Sequence, residues 1–213
     1  MTRETLAARS ARVPKIITAL RRAHPDAKLA LNFSSPLELL VALILAAQCR
    51  DDLVNDVTTG LFQKYRAVAD WTTLREEDVR RINFYRNKTR SIRGAAFVLM
   101  EKFGGQVPHT MDELLTLPGV GRKTANAILA NAFGQPAIVV DTHTWRLSQR
   151  LGLTKEDEQD RIEIDLVKIV PRKDWTKFCH LLQFHGRRVC TARKPNCPNC
   201  SISKLCPWPE KTK

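Results

Sequence analysis

Three times along this chain a serine or threonine stands three residues before a glutamate and ahead of apolar residues: Ser35 with Glu38, Thr73 with Glu76, and Thr110 with Glu113. Each pair is the signature of a capping box, in which the first side chain meets a backbone N–H that the helix cannot satisfy itself. Pro36 strengthens the first case, because proline at the opening helical position loses no hydrogen bond. The helix that follows, to about Gln48, is apolar on nearly every side and reads as the buried centre of a helical core. Residues 3–24 carry Val13, Ile16, Ile17 and Leu20 on one helical stripe. A helix from Asp51 or Asp52 is expected to pack Leu53, Val57 and Leu61, and the Thr73 box precedes Val79 and Ile82. Residues 88–103 align Ile92, Ala95, Ala96, Leu99 and Phe103 before Gly104-Gly105 stops the helix. The Thr110 box opens a short helix ending by Pro118, and further helices are expected near 157–169 and 174–186. Only Ala137 to Val140 looks strand-like, and so short a run makes no sheet. The expected fold class is all-α.

The chain has 213 residues, 43% of them hydrophobic and 27% charged, an ordinary globular balance. Its charge is less ordinary: 35 Lys and Arg against 22 Asp and Glu give +13. Such a surface attracts polyanions, nucleic acid first, since phosphate contacts dominate that affinity. An anionic membrane fits less well, because the basic residues are scattered. The longest apolar run, Leu39 to Ala47, falls short of the roughly 18–20 residues that span a bilayer. No apolar leader segment opens the chain, and Glu4 and Asp26 count against a transit peptide, so a cytoplasmic location is expected.

Between two expected helices lies Leu117-Pro118-Gly119-Val120-Gly121-Arg122-Lys123-Thr124-Ala125. The two glycines permit a tight turn and close backbone approach. The next helix, from about Gly121, then offers its first N–H groups to a phosphate oxygen. Gly119, Val120, Gly121 and Arg122 are therefore candidate DNA-binding residues, contacting backbone rather than base sequence. Lys123 fits two roles. It is placed like any phosphate-binding lysine, but the positive helix end and Arg122 disfavour a further cation there, which raises its neutral, nucleophilic fraction. Asp141 follows Ile138-Val139-Val140 and precedes Thr142-His143. It suits both a helix N-cap and a carboxylate that stabilises developing positive charge and shuttles protons.

Cys190, Cys197, Cys200 and Cys206 crowd into a basic, proline-rich tail with Pro195, Pro198, Pro207 and Pro209. Four thiolates so close in sequence suit a metal centre rather than a disulfide framework, and spacing alone leaves zinc and iron–sulfur both open. Arg187, Arg188, Arg193 and Lys194 lie beside or between them, where an ordered loop would present cations to phosphate. Cys49 and Cys179 fall outside the pattern and read as buried thiols.

Leu117 to Leu129, followed by Val140-Asp141-Thr142-His143, resembles the endonuclease III family of helix–hairpin–helix DNA glycosylases. The resemblance runs from about residue 29 to Cys206, and more weakly through the N-terminal helix. It implies two helical lobes flanking a central cleft: a six-helix lobe over 29–135, and a cluster lobe of 1–28 with 136–213. It implies a Schiff-base nucleophile at Lys123, a catalytic partner at Asp141, and a [4Fe–4S] cluster on Cys190, Cys197, Cys200 and Cys206. Adenine-removing relatives share the hairpin but usually lack the lysine, so its presence favours combined glycosylase and abasic-site lyase activity. The expected partners are duplex DNA with oxidised or ring-damaged pyrimidines or abasic sites, met by a monomer. Such chemistry needs a nucleotide taken out of the stack. By resemblance Gln48 fills the hole and Phe84 wedges the opposite strand, with His143 lining the DNA side. Here the chain departs from its family. Asn83-Phe84-Tyr85-Arg86 replaces the usual Gly-Leu-Tyr-Asn, and Arg50 replaces a small polar residue, although Asp51 agrees. Two rival readings are a non-catalytic DNA binder with a zinc-loaded cysteine loop and a glycosylase without lyase activity.

Overall fold

The computed structural model describes residues 4–212. The chain divides into two compact units, one of Leu29–Gln135 and one joining the stretch up to Lys28 with that from Pro136. No strand occurs among the described residues.

The unit of Leu29–Gln135 is built around the helix foreseen as its centre. We number the α-helices in chain order. α1 (Leu6–Ala23) belongs to the other unit, and α2 (Pro36–Ala46) buries Leu39, Leu40, Val41, Ala42, Ile44 and Leu45. α3 (Asp51–Lys64), α4 (Tyr85–Phe103) and α6 (Arg122–Ala132) pack on α2, and the short α5 (Met111–Leu115) packs on α6. Ser35 Oγ accepts from the Glu38 N–H, as the capping box requires. The reciprocal bond is displaced by one residue, because Glu38 Oε2 accepts from the backbone N–H and hydroxyl of Ser34 instead.

α3 buries Val54, Thr58 and Leu61, and Leu53 and Val57 pack half-buried against the same core, as expected. Two expectations are corrected here. The box at Thr73 does not form: the Thr73 hydroxyl donates to Asp70 O, and Glu76 opens a short 3₁₀ turn capped by Arg75. Val68–Thr73 is a second 3₁₀ turn, with Asp70 Oδ2 accepting from the Arg66 and Ala67 N–H groups. Side chains that close local turns compete with a longer helix, so the unit has five α-helices and two 3₁₀ turns rather than six helices. Trp71 from this stretch is nonetheless fully buried against Tyr65.

In the other unit α1 buries Val13, Ile16, Ile17 and Leu20, the stripe read from its period. Residue 3, where that helix was expected to begin, lies outside the described residues. α1 packs on α8 (Gln159–Ile169) and α9 (Trp175–Arg188), and α7 (Thr142–Arg150) packs on both α8 and α9. Ala137–Val140 is extended but pairs with no strand. Its N–H groups turn to α9 side chains, with Ala137 N–H donating to Thr176 Oγ1 and Val139 N–H to Cys179 Sγ. Cys179 is buried as expected, and burial pushes its thiol up to about 12, whereas Cys49 is only half-buried. No helix is long and apolar enough to cross a membrane among the described residues.

Candidate nucleic-acid interface

The hairpin between α5 and α6 divides its work between the two glycines. Gly119 sits at φ +81°, and a Cβ there would lie 2.7 Å from Ser91 Cβ of α4, so only glycine fits. Gly121 has ordinary extended backbone, and a Cβ there would meet nothing within 4 Å. It is the N-cap of α6 yet brings no capping side chain, and no acidic residue lies in the first turn. The positive end of α6 therefore faces open space, the arrangement that suits a phosphate. Val120 N–H donates to Leu117 O, and its side chain is only 7% exposed, so the Val120 side chain belongs to the core. Arg122 and Lys123 are exposed in the first helical turn.

Asp141 is the N-cap of α7. Its Oδ1 accepts from the N–H groups of His143 at 3.0 Å and Thr144 at 2.7 Å. Its Oδ2 accepts from Gln183 Nε2 of α9 at 3.2 Å. The capping role is thus real, and it leaves the second oxygen held by one neutral amide. Gln183 was missed by sequence reasoning, since nothing in the α9 period marks it. The His143 ring rests against Gly186 and beside Arg146 Nη2, a packed position inside this unit.

The four cysteines line one pocket with Leu147, Arg150, His185, Ile202 and Trp208, enclosing about 400 Å³ of atom-free space that is partly open to solvent. Arg150 Nη1 donates to Cys190 Sγ and Thr191 O, Nη2 donates to Ala192 O, and the guanidinium stacks on Trp208. His185 Nε2 lies 3.3 Å from Cys200 Sγ, and His185 Nδ1 lies 3.0 Å from His24 Nε2. Burial, and then the neighbouring cysteines, hold the Cys200 and Cys206 thiols above their ordinary range. Thiols that resist ionising side by side need a cationic centre to become thiolates. No group of three or more His, Cys, Asp or Glu among the described residues converges on a single metal ion. Arg193 and Lys194 are exposed in the loop between Cys190 and Cys197. Arg188, by contrast, is engaged: it pairs with Asp26 at 2.6 Å and lies over Phe184.

Among the described residues, Gln48 and Phe84 are the two non-glycine residues with positive φ, at 53° and 58°. Such backbone is uncommon outside glycine and clusters at functional sites. Gln48 is exposed just past the end of α2, and Phe84 is 62% exposed at the start of α4, so it is not a core aromatic. Sequence reasoning missed Lys88. It is 6% exposed, with Nζ donating to Leu45 O at 2.9 Å and Ala47 O at 2.6 Å. Burial pushes its amine below the usual lysine range. The signal was present, because Lys88 lies one turn before Ile92 on the apolar stripe of α4.

A glycine hairpin that opens an uncapped helix, followed by a carboxylate N-cap, defines a helix–hairpin–helix base-excision scaffold. Residues 41–172 match the HhH-GPD superfamily of base excision DNA repair proteins. The chain is 48% identical over 208 residues to the endonuclease III of Synechocystis sp. (strain ATCC 27184 / PCC 6803 / Kazusa), covering 95% of this chain and 94% of that protein. It is 40% identical over 201 residues to the endonuclease III of Escherichia coli (strain K12), covering 92% and 95%. The solved structure of a non-covalent endonuclease III–DNA complex superposes with a TM-score of 0.88 at 43% identity, over 93% of this chain and 95% of that one. A trapped endonuclease III–DNA covalent intermediate matches equally well, with a TM-score of 0.88, 43% identity and the same 93% and 95% coverage. The chain belongs to the endonuclease III family.

Gly119→Ala is expected to destabilise the protein by about 1–3 kcal/mol, since the new methyl meets Ser91 at a backbone angle that favours glycine. Gly121→Ala is expected to stay within about 1 kcal/mol of the parent, because the space there is open. Urea unfolding of the two variants checks the contrast, and equal losses would contradict it.

His180 on α9 gives a pH signature. Burial first, and Lys177 second, lower its imidazole from 6.5 to about 4, against the pull of Asp141. The unfolded chain takes up a proton near 6.5 that the folded chain refuses until about 4. This contribution to stability is complete above about 6.5 and is lost as pH falls toward about 4. Urea unfolding across that window is expected to give a shallower pH slope for His180→Gln than for the parent. Parallel slopes would rule the assignment out.

Proposed function

We propose that this chain excises damaged bases from duplex DNA through Lys123 and then cuts the strand at the abasic site. It is a base-excision DNA glycosylase with abasic-site lyase activity. The observation that carries the residue assignment is the place of Lys123, exposed in the first turn of a helix whose positive end no side chain caps.

The hairpin's open N–H groups and Arg122 grip a backbone phosphate, which places the sugar without reading sequence. The neutral Lys123 amine attacks the sugar C1′. The glycosidic bond breaks, and its electron pair leaves with the base, which takes up a proton. Opening of the sugar ring leaves a C1′ iminium on Lys123. The iminium acidifies the C2′ protons, and loss of one expels the 3′ phosphate by β-elimination. Hydrolysis of the imine then returns the free amine. Asp141 is the catalytic partner in this reading, a carboxylate suited to proton transfer, with Oδ1 fixed by the α7 N–H groups and Oδ2 steadied by Gln183. Gln48 enters the space left by the extruded nucleotide, and the exposed Phe84 wedges the opposite strand. His143 lines the DNA side of α7. Substrates in this reading are oxidised or ring-damaged pyrimidines and abasic sites, met by a monomer in the cytoplasm.

Cys190, Cys197, Cys200 and Cys206 hold a [4Fe–4S] cluster in this reading. The support is the four cysteines lining one pocket. When bound, the cluster supplies the positive centre that keeps the four thiolates together. Arg146 and Arg150 of α7 tie the loop backbone from beneath, leaving Arg193 and Lys194 at the surface for phosphate.

Borohydride reduction on a duplex with one abasic site is expected to trap the parent covalently and to trap Lys123→Ala at less than about a hundredth of that level. Equal trapping would move the nucleophile to another amine. Base release without trapping by the parent would leave a glycosylase that is not a lyase.

Iron and sulfide analysis of the purified protein is expected to find about four of each per chain, with Cys200→Ser losing most of both. One zinc per chain in place of iron would refute the cluster.

A further inference from the structure

Gln48 and Phe84 lie far apart in the chain but are joined through side-chain bonds. Asn83 Nδ2 donates to Gln48 O at 2.8 Å. Lys88 Nζ donates to Leu45 O and Ala47 O, just before Gln48. The carbonyls that the end of α2 leaves unmet are thus taken up by two residues bracketing Phe84. An ammonium at this negative helix end is also favourably placed. Both tethered residues hold left-handed backbone, a conformation that persists where the surroundings over-determine it.

The two tethers differ in kind. Lys88 is buried in the core of its unit, and its bonds fix α4 to α2. Asn83 is exposed, and its side-chain amide donates to the Gln48 carbonyl. Its bond therefore adds to a scaffold that Lys88 already secures.

We infer that Asn83 is a positioning residue that couples Gln48 to Phe84, so that both enter the duplex as one preformed two-pronged insert. The inference rests on the reading of Gln48 and Phe84 as the residues that invade the duplex. Without the tether, each prong is ordered separately when the DNA is opened, and that ordering slows insertion. Gripping of undamaged duplex, which relies on the hairpin and the basic loop, is untouched by the coupling.

The test uses a duplex with one tetrahydrofuran abasic-site analogue and 2-aminopurine opposite it, whose fluorescence rises when the strand is wedged open. Asn83→Leu keeps the bulk and removes the donor, and Asn83→Gly removes the side chain altogether. Both variants are expected to bind undamaged duplex within about twofold of the parent and to slow the fluorescence rise by about fivefold or more, as loss of one hydrogen bond allows. Rates equal to the parent's would overturn the coupling and leave the Gln48 and Phe84 reading standing. A parent that gives no rise, or Gln48→Ala and Phe84→Ala variants that open DNA as the parent does, would remove that underlying reading and this inference with it. Weakened binding of undamaged duplex or loss of cooperative unfolding in Asn83→Leu would make Asn83 a general structural residue and overturn the coupling.

Discussion

Every α-helix ends in backbone groups that its own turns cannot satisfy, and the means of satisfying them organises this protein. At the start of α2, Ser35 accepts from the Glu38 N–H and the helix is simply begun. At its end, Lys88 and Asn83 of the α4 region take up the carbonyls of Leu45, Ala47 and Gln48. At the start of α7, the Asp141 carboxylate takes two N–H groups. At the start of α6, Gly121 brings no side chain at all. The first three ends are met by side chains, and at the fourth no side chain caps the helix.

A buried lysine illustrates how function constrains packing. Lys88 occupies an apolar stripe where an aliphatic side chain would be the simpler choice, and burial disfavours its charge. Its ammonium is tolerated because two carbonyls receive it, and those carbonyls precede a residue in left-handed backbone. These bonds hold the end of α2 immediately before Gln48, which is exposed in left-handed backbone.

The cysteine loop follows a related logic. It has little regular structure beyond the 3₁₀ turn Ser203–Leu205, and arginines of α7 supply what helix bonds would otherwise provide. Arg150 donates both to the Cys190 sulfur and to the adjacent carbonyl of Thr191. Burial, and then the neighbouring cysteines, hold the Cys200 and Cys206 thiols up, so binding of a positive centre there would couple to the loop's folding.

Much of this was legible in the residues themselves. The apolar stripe of α1, the buried α2, the stop at Gly104-Gly105 and the hairpin follow from short-range rules of period, cap and turn, which need only neighbours in sequence. Lys123 and the four cysteines stood out as candidates for the same reason, while the chemistry assigned to them came from the family resemblance. What sequence alone misjudged or missed depends on partners far away in the chain. Thr73 is a local exception: it resembles a cap, but the Asp70 carbonyl three residues back takes its hydroxyl. Ile138 to Val140 is extended as its composition suggests, yet its N–H groups meet helix side chains rather than a strand. Gln183 and Asn83 carry no local mark, and the place of Lys88 on the α4 stripe does not name its partners, because each is defined by a carbonyl or carboxylate at least 35 residues distant along the chain. Periodicity determines which face of a helix is buried. Only the folded chain decides which polar group on that face finds a partner, because hydrogen bonding is directional and short-ranged while the pattern in sequence is neither.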